Sequence, residues 1–264
     1  MPDMSLNIAW DLLFGAPILL AANWYRRAVT PAIPRWRQVL FYLGIAFAFI
    51  VLVGPLPHFA VRIFWVHMVQ HISLMMLISP MIILGAPMAV AASAPASRSK
   101  AFLRGAYRSW LVRLIIKPQI GFGIFLVALF ATHFSPLANA GMKNGNIHSL
   151  ELIIFLVAGL IYYYPLMSGN PMPFYVAHPI RLTSLFAMMV PETMTGFFLY
   201  SSSRLLHDIP SMPGMNMAQS ASALNDQRIG GSLMWSMGML IDAGWLALTA
   251  RDWFVHERDL EEEE

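Results

Sequence analysis

Long apolar runs separated by short polar breaks fill the chain from one end to the other. Seven of them reach the roughly 20 residues that a helix needs to cross the hydrocarbon of a bilayer. They are Leu6–Tyr25, Arg37–Leu56, Ile63–Leu84, Pro118–Leu137, Ile147–Met167, Pro179–Tyr200 and Ile229–Ala250. The pattern predicts an all-α polytopic membrane protein, a single bundle of seven transmembrane helices over residues 1–264, with no fixed-period repeat and no separate soluble domain. The start, "MPDMSLNIAW", carries neither a basic leader region nor a small-residue cleavage site, so the first run is expected to be kept as a span. The third run continues through "GAPMAVAAS". A straight helix of about 30 residues would measure about 45 Å, more than the hydrocarbon holds. Pro80 and Pro87 lack the N–H that continues the ladder, so a kink followed by a surface-lying end is expected there.

Composition agrees with this reading. The chain is 58% hydrophobic and 12% charged, about half the charge of an ordinary soluble domain. Its net charge of +3 is small, and the basic residues sit in short loops, where they report topology and not a nucleic-acid surface. On one side lie Arg26, Arg27, Arg35, Arg37, Arg98, Lys100, Arg104, Arg108, Arg113, Lys117, Arg181, Arg251 and Arg258. On the other lie only Arg62, Lys143, Arg204 and Arg228. Lys and Arg accumulate on the cytoplasmic side, so the N-terminus is expected outside and the C-terminus inside. The acidic end "EEEE" reads as a solvated helix end.

With that topology the histidines become informative. His58, His67, His71, His133, His148 and His207 fall on the outer side or in the outer half of a span, whereas His178 and His256 fall inside. Counting helical rise, His71, Glu192 and Met237 should reach a similar depth. In "HMVQHISLM", His67, His71 and Met75 follow one another at i, i+4 and i+8 along one helix face. Two such imidazoles suit one metal ion, with a thioether below them. The alternative is that they hydrogen-bond to neighbouring helices. "HSLE" puts His148 and Glu151 at i, i+3, where the carboxylate can orient the imidazole or neutralise a cation. Glu192, in "VPETMTG", is an ionisable group within a span, which is costly and marks a functional position by default, the alternative being a protonated carboxyl bonded within the bundle. Asp242, nearer the inner half, reads as a packing contact.

The stretch "HDIPSMPGMNM" places Met212, Met215 and Met217 in a polar loop, residues 201–228, expected on the outer side. Thioethers and imidazoles together select copper, and thioethers in particular Cu(I). The loop therefore reads as a collar that captures Cu(I) or, alternatively, as a Met-rich contact surface for a partner. The chain has no cysteine, which excludes disulfides, thiolate metal sites and thiol nucleophiles. No hydrolase, zinc-protease or phosphate-binding motif is present, and the chain is not expected to be an enzyme.

The stretches "HMVQHISLMMLISPMIILGAP", "THFSPL", "HSLELIIFLVAGLIYYYPL" and "DQRIGGSLMW" resemble the CtaG-type family of cytochrome c oxidase assembly proteins. The resemblance runs from the third span to the seventh. It implies a seven-helix membrane protein that serves the copper centres of a haem–copper oxidase, with His67, His71, His133 and His148 as the shared histidines. Where the family often reads His-x-x-Glu-His at the start of span five, this chain has Leu152 after Glu151. The expected function is a bacterial-type inner-membrane assembly factor. It would bind Cu(I) on the outer side through His67, His71, His133, His148, Met75, Glu151 and Glu192, with Met212, Met215 and Met217 in the loop. Its partner would be an apo cytochrome c oxidase subunit. Two rival readings are a structural accessory subunit of a respiratory complex and a haem-binding membrane redox protein.

Overall fold

The structure is a computed structural model and describes residues 4–53, 56–60, 63–93, 97–167, 169–206 and 217–263. It is 85% helical, and there is no strand among the described residues. The helices are α1 (Met4–Ala28), α2 (Arg35–Leu52), α3 (Leu56–Ala60) and α4 (Phe64–Ile72), then a π-helical segment (Ser73–Ile78) and α5 (Ser79–Leu84). They continue as α6 (Pro87–Ser93), α7 (Ser97–Arg108), α8 (Trp110–Ile115), α9 (Pro118–Phe134) and α10 (Pro136–Lys143). The last three are α11 (Gly145–Tyr163), α12 (His178–Ser201) and α13 (Met217–Glu263).

Among the described residues, five stretches are long and apolar enough to cross a membrane: Arg35–Leu52, Phe64–Ser93, Gly145–Tyr163, His178–Ser201 and Ala221–Glu262. Helix α9 is apolar but only 17 residues long. The run expected to continue to Leu137 stops at Phe134 because Ser135 is extended and Pro136 starts a new helix. Ser135 caps that helix, its Oγ accepting from the Leu137 N–H at 3.1 Å.

The Phe64–Ser93 stretch is the central element, 78% buried against 22–44% for the other four. Its irregularities have a local cause. Pro80 has no N–H, so an α-helical bond to the Met76 carbonyl cannot form. The Trp245 indole N–H, from α13, donates to that carbonyl at 2.8 Å. Ser79 Oγ reaches five residues back to the Leu74 carbonyl at 2.7 Å. Met75 and Met76, neighbours in this widened turn, are both buried, each 3% exposed.

The chain breaks not at Pro80 but at Gly85–Ala86, where Ala86 takes φ 54° ahead of Pro87. Three carbonyls freed there are all satisfied. Asn170 Nδ2 donates to Ile83, an Arg37 guanidinium N–H to Leu84 and the Tyr25 hydroxyl to Gly85, at 2.7, 2.9 and 2.7 Å. Beyond the break, α6 does not simply lie on the surface, because Val90 is buried in a small core with Tyr25, Ile33 and Phe41.

Helices α12 and α13 form the most extensive packed pair. A Cβ at Gly196 would stand 2.6 Å from the Trp235 nitrogen, and one at Gly231 2.5 Å from the Tyr200 nitrogen. Two backbones can approach this closely only where the side chains are absent. The expected loop over residues 201–228 is helical from Met217 onward. Its polar residues are docked, which a loop reading did not anticipate. Asp226 accepts from the N–H groups of Phe64 and Trp65, at 2.9 and 3.0 Å, and so caps α4. Gln227 accepts from the Leu206 N–H at 2.7 Å and donates to the Arg204 carbonyl at 3.1 Å.

Candidate metal centre

Helix α4 carries His67 and His71 one turn apart, and their ring centroids lie 4.0 Å from each other. Helix α11 brings His148 and Glu151 to the same place, with the His148 ring 4.6 Å from that of His67. One ligand atom from each of His67, His71, His148 and Glu151 lies within 4.8 Å of the others. All four residues are buried, none more than 5% exposed. The two helices are held at their N-termini. Asp226 caps α4, and the Asn144 side chain caps α11 by accepting from the Asn146 N–H at 2.9 Å. Gly141 of α10 closes over Glu151, and a Cβ there would collide with its carboxylate oxygens.

The hydrogen-bond network sets the tautomer of His148. Gln70, fully buried, donates through Nε2 to the Val51 carbonyl at 2.7 Å. Its Oε1 therefore accepts from His148 Nε2–H at 3.1 Å. That leaves the lone pair of His148 on Nδ1, 3.6 Å from a Glu151 oxygen. A nitrogen lone pair facing a carboxylate in a buried site calls for a cation or a proton between them. Outer-shell partners of this kind orient metal-binding imidazoles.

His133, at the end of α9, is close to this group but not within it. Its ring lies 5.8 Å from that of His71. Its Nδ1–H donates to the Leu129 carbonyl at 2.7 Å, so Nε2 carries the lone pair. His71, His133, Met75 and Glu192 line one small cavity next to the four-residue cluster. Glu192 has the Asp242 carboxyl as its neighbour, and Asp242 also meets the Tyr163 hydroxyl. Asp242 is therefore tied to the polar interior through Glu192, beyond the packing role expected of it. Met237, expected at the depth of His71, is 46% exposed, because the inward face of α13 runs through Met234, Gly238 and Trp245.

Met212 and Met215 lie outside the described residues, as does His207. Met217 is the first residue of α13, and its side chain is outside the described set. His178 and His256 pair with each other, ring centroids 5.1 Å apart, at the opposite end of α12 from Glu192. Sequence reasoning passed over Gln70, Met68, Met76, Met234 and Asp226. For Gln70 a signal existed, since an amide between two histidines of an apolar helix needs a partner. Nothing local singles out the three methionines among nineteen.

Residues 18–256 match the family model described as cytochrome c oxidase caa3 assembly factor, Caa3_CtaG. An uncharacterized protein of Mycobacterium bovis and one of Mycobacterium tuberculosis are each 28% identical over 182 residues, 66% of this chain and 27% of theirs. A third, from Mycobacterium leprae, is 28% identical over 181 residues, with the same coverage. The match thus spans about a quarter of the length of these relatives. No solved structure matches.

Proposed function

We infer that this chain, which belongs to the Caa3_CtaG family of cytochrome c oxidase caa3 assembly factors, handles Cu(I) for the maturing oxidase and catalyses no reaction of its own. Family membership and the membrane-length helices make it a multi-pass membrane protein, and the family description is what points to an oxidase as the partner. The proposal goes further in three respects. The bundle crosses the bilayer seven times, with α1 and α9 as the additional spans. The N-terminus faces outside, as the distribution of Lys and Arg requires. The ion is taken up on the outer side and passed to an apo-oxidase subunit.

The observation that carries this reading is the convergence of His67, His71, His148 and Glu151 within 4.8 Å, all buried. Imidazole nitrogens suit copper, and the adjacent Met75 thioether favours its reduced form. One carboxylate matches the single charge of Cu(I). A haem reading fits poorly. The four ligand groups crowd within 4.8 Å of one another, and the cavity beside them is about 10 Å³, far too small for a macrocycle.

Metal analysis beside an absorption spectrum of the purified protein tests the reading. Copper without a Soret band is expected. A Soret band, or tight association with a respiratory complex and no metal, would favour one of the two rival readings instead.

The "SMPGMNM" segment should lie outside, where its thioethers collect Cu(I) when it is scarce. Membrane-impermeant labelling of a site placed there should succeed on intact cells, and labelling only after permeabilisation would reverse the orientation. With Met212, Met215 and Met217 all changed to Leu, oxidase copper content should fall only at low copper supply. A defect at every copper level would make the segment a docking surface.

A further inference from the structure

Next to the imidazole cluster lies a small chamber of about 10 Å³, room for about one water-sized particle. Four methionines line it, Met68, Met75, Met76 and Met234, together with His71, His133 and Glu192. The methionines are 2–4% exposed and Glu192 is 3% exposed. We propose that this chamber is a second, deeper Cu(I) site, built from thioethers, and that His71 forms the wall it shares with the His67–His148–Glu151 cluster. The proposal rests on the copper reading above and extends it to Met68, Met76 and Met234, which that reading does not use.

Three observations converge on it. The first is donor chemistry. Thioethers are neutral, soft ligands that hold Cu(I) and discriminate against harder divalent ions. His133 presents Nε2, because its Nδ1–H is committed to the Leu129 carbonyl. The Glu192 and Asp242 carboxyls lie side by side, and one negative charge on the pair would balance one monovalent ion.

The second is that two of these methionines sit on a backbone irregularity. Met75 and Met76 both fall in the π segment over Ser73–Ile78, and both are buried. Single-turn π segments within α-helices recur at functional sites.

The third is the choice of residue. Methionine is flexible and specifies packing poorly, so a plain core would use branched aliphatic side chains there. Four thioethers around a void of one-ion size have a reason if sulfur is the ligand. The chamber then holds Cu(I) away from water, while the imidazole–carboxylate cluster receives it from outside.

The test uses the full chain, purified in detergent, on a background in which Met212, Met215 and Met217 are Leu, so that only the bundle contributes sulfur. Cu(I) is titrated without oxygen against a colorimetric Cu(I) chelator, and the bound copper is examined by X-ray absorption at its K edge. Two equivalents are expected, with sulfur in the first coordination shell. Changing Met68, Met76 and Met234 together to Leu, a nearly volume-conserving replacement, should remove one equivalent and most of the sulfur scattering. Changing His67 and His148 together to Ala should remove the other equivalent and leave the sulfur scattering in place. If the triple variant does not stay monodisperse, the single variants Met68→Leu and Met234→Leu should each lower the sulfur coordination number.

Copper bound by the background protein without sulfur scattering, or full sulfur scattering in the Met-to-Leu variants, overturns the chamber and leaves the copper reading standing. A background protein that binds no Cu(I) at all overturns the copper reading itself, and the chamber with it.

Discussion

Purified protein with His67 and His71 both changed to Ala should bind Cu(I) more weakly by well over 100-fold, while still inserting and folding. Two of the four clustered ligand positions come from these residues, and both reach the site from the same capped helix. Loss of an outer-shell partner alone typically costs roughly 10–100-fold in metal affinity, so loss of two direct ligands must cost more. Gln70→Leu provides the graded comparison. It removes the acceptor that fixes the His148 tautomer, and its effect should fall within that outer-shell range. His256→Ala, at the other end of α12 and paired only with His178 among the histidines of the described residues, should leave copper binding unchanged. Chelator competition on the purified variants reads all three. Full copper retention by the double variant would make the imidazoles structural and remove the core of the proposed function.

Gly231→Leu should abolish most of the folded protein. The α12–α13 crossing brings backbone against backbone. A Cβ at Gly231 would lie 2.5 Å from the Tyr200 nitrogen and 2.7 Å from the Gly196 carbonyl oxygen. A flexible side chain could move aside, but main-chain atoms within two helices cannot do so cheaply. Overpacking usually costs about 1–3 kcal/mol, and this site should lie at or above the top of that range. The consequence reaches the metal centre, because α13 also supplies the Asp226 cap of α4 and the Trp245 donor to Met76. Yield and thermal midpoint in detergent give the readout. Gly105→Leu, where a Cβ would meet nothing within 4 Å, is the control and should be neutral. A Gly231→Leu protein as stable as wild type would mean that the two helices can separate without cost.

Much of the architecture was legible from hydrophobic period and proline placement. Both depend on neighbours along the chain, since the apolar faces and missing N–H groups of a helix are local properties. The limits of the seven runs were less so. The run through Pro118 ended early at Ser135–Pro136, a stop signal present in the sequence but outweighed by the apolar count. The polar stretch after Met217 reads as loop by composition, yet it folds as helix because Asp226 and Gln227 find partners on α4 and on the end of α12 and the chain just beyond it.

The candidate site divides in the same way. Helical spacing alone put His67 with His71 and His148 with Glu151, because residues three and four apart share a face. That the two pairs meet, and that His133, Glu192 and Met75 line an adjoining cavity instead of joining them, follows from how α4, α9, α11 and α12 cross. Tertiary packing alone decided that Gln70 holds His148 and that Met234, not Met237, faces inward. A sequence states which face of a helix each side chain occupies. It does not state which other helix that face meets, and a buried site is made of such meetings.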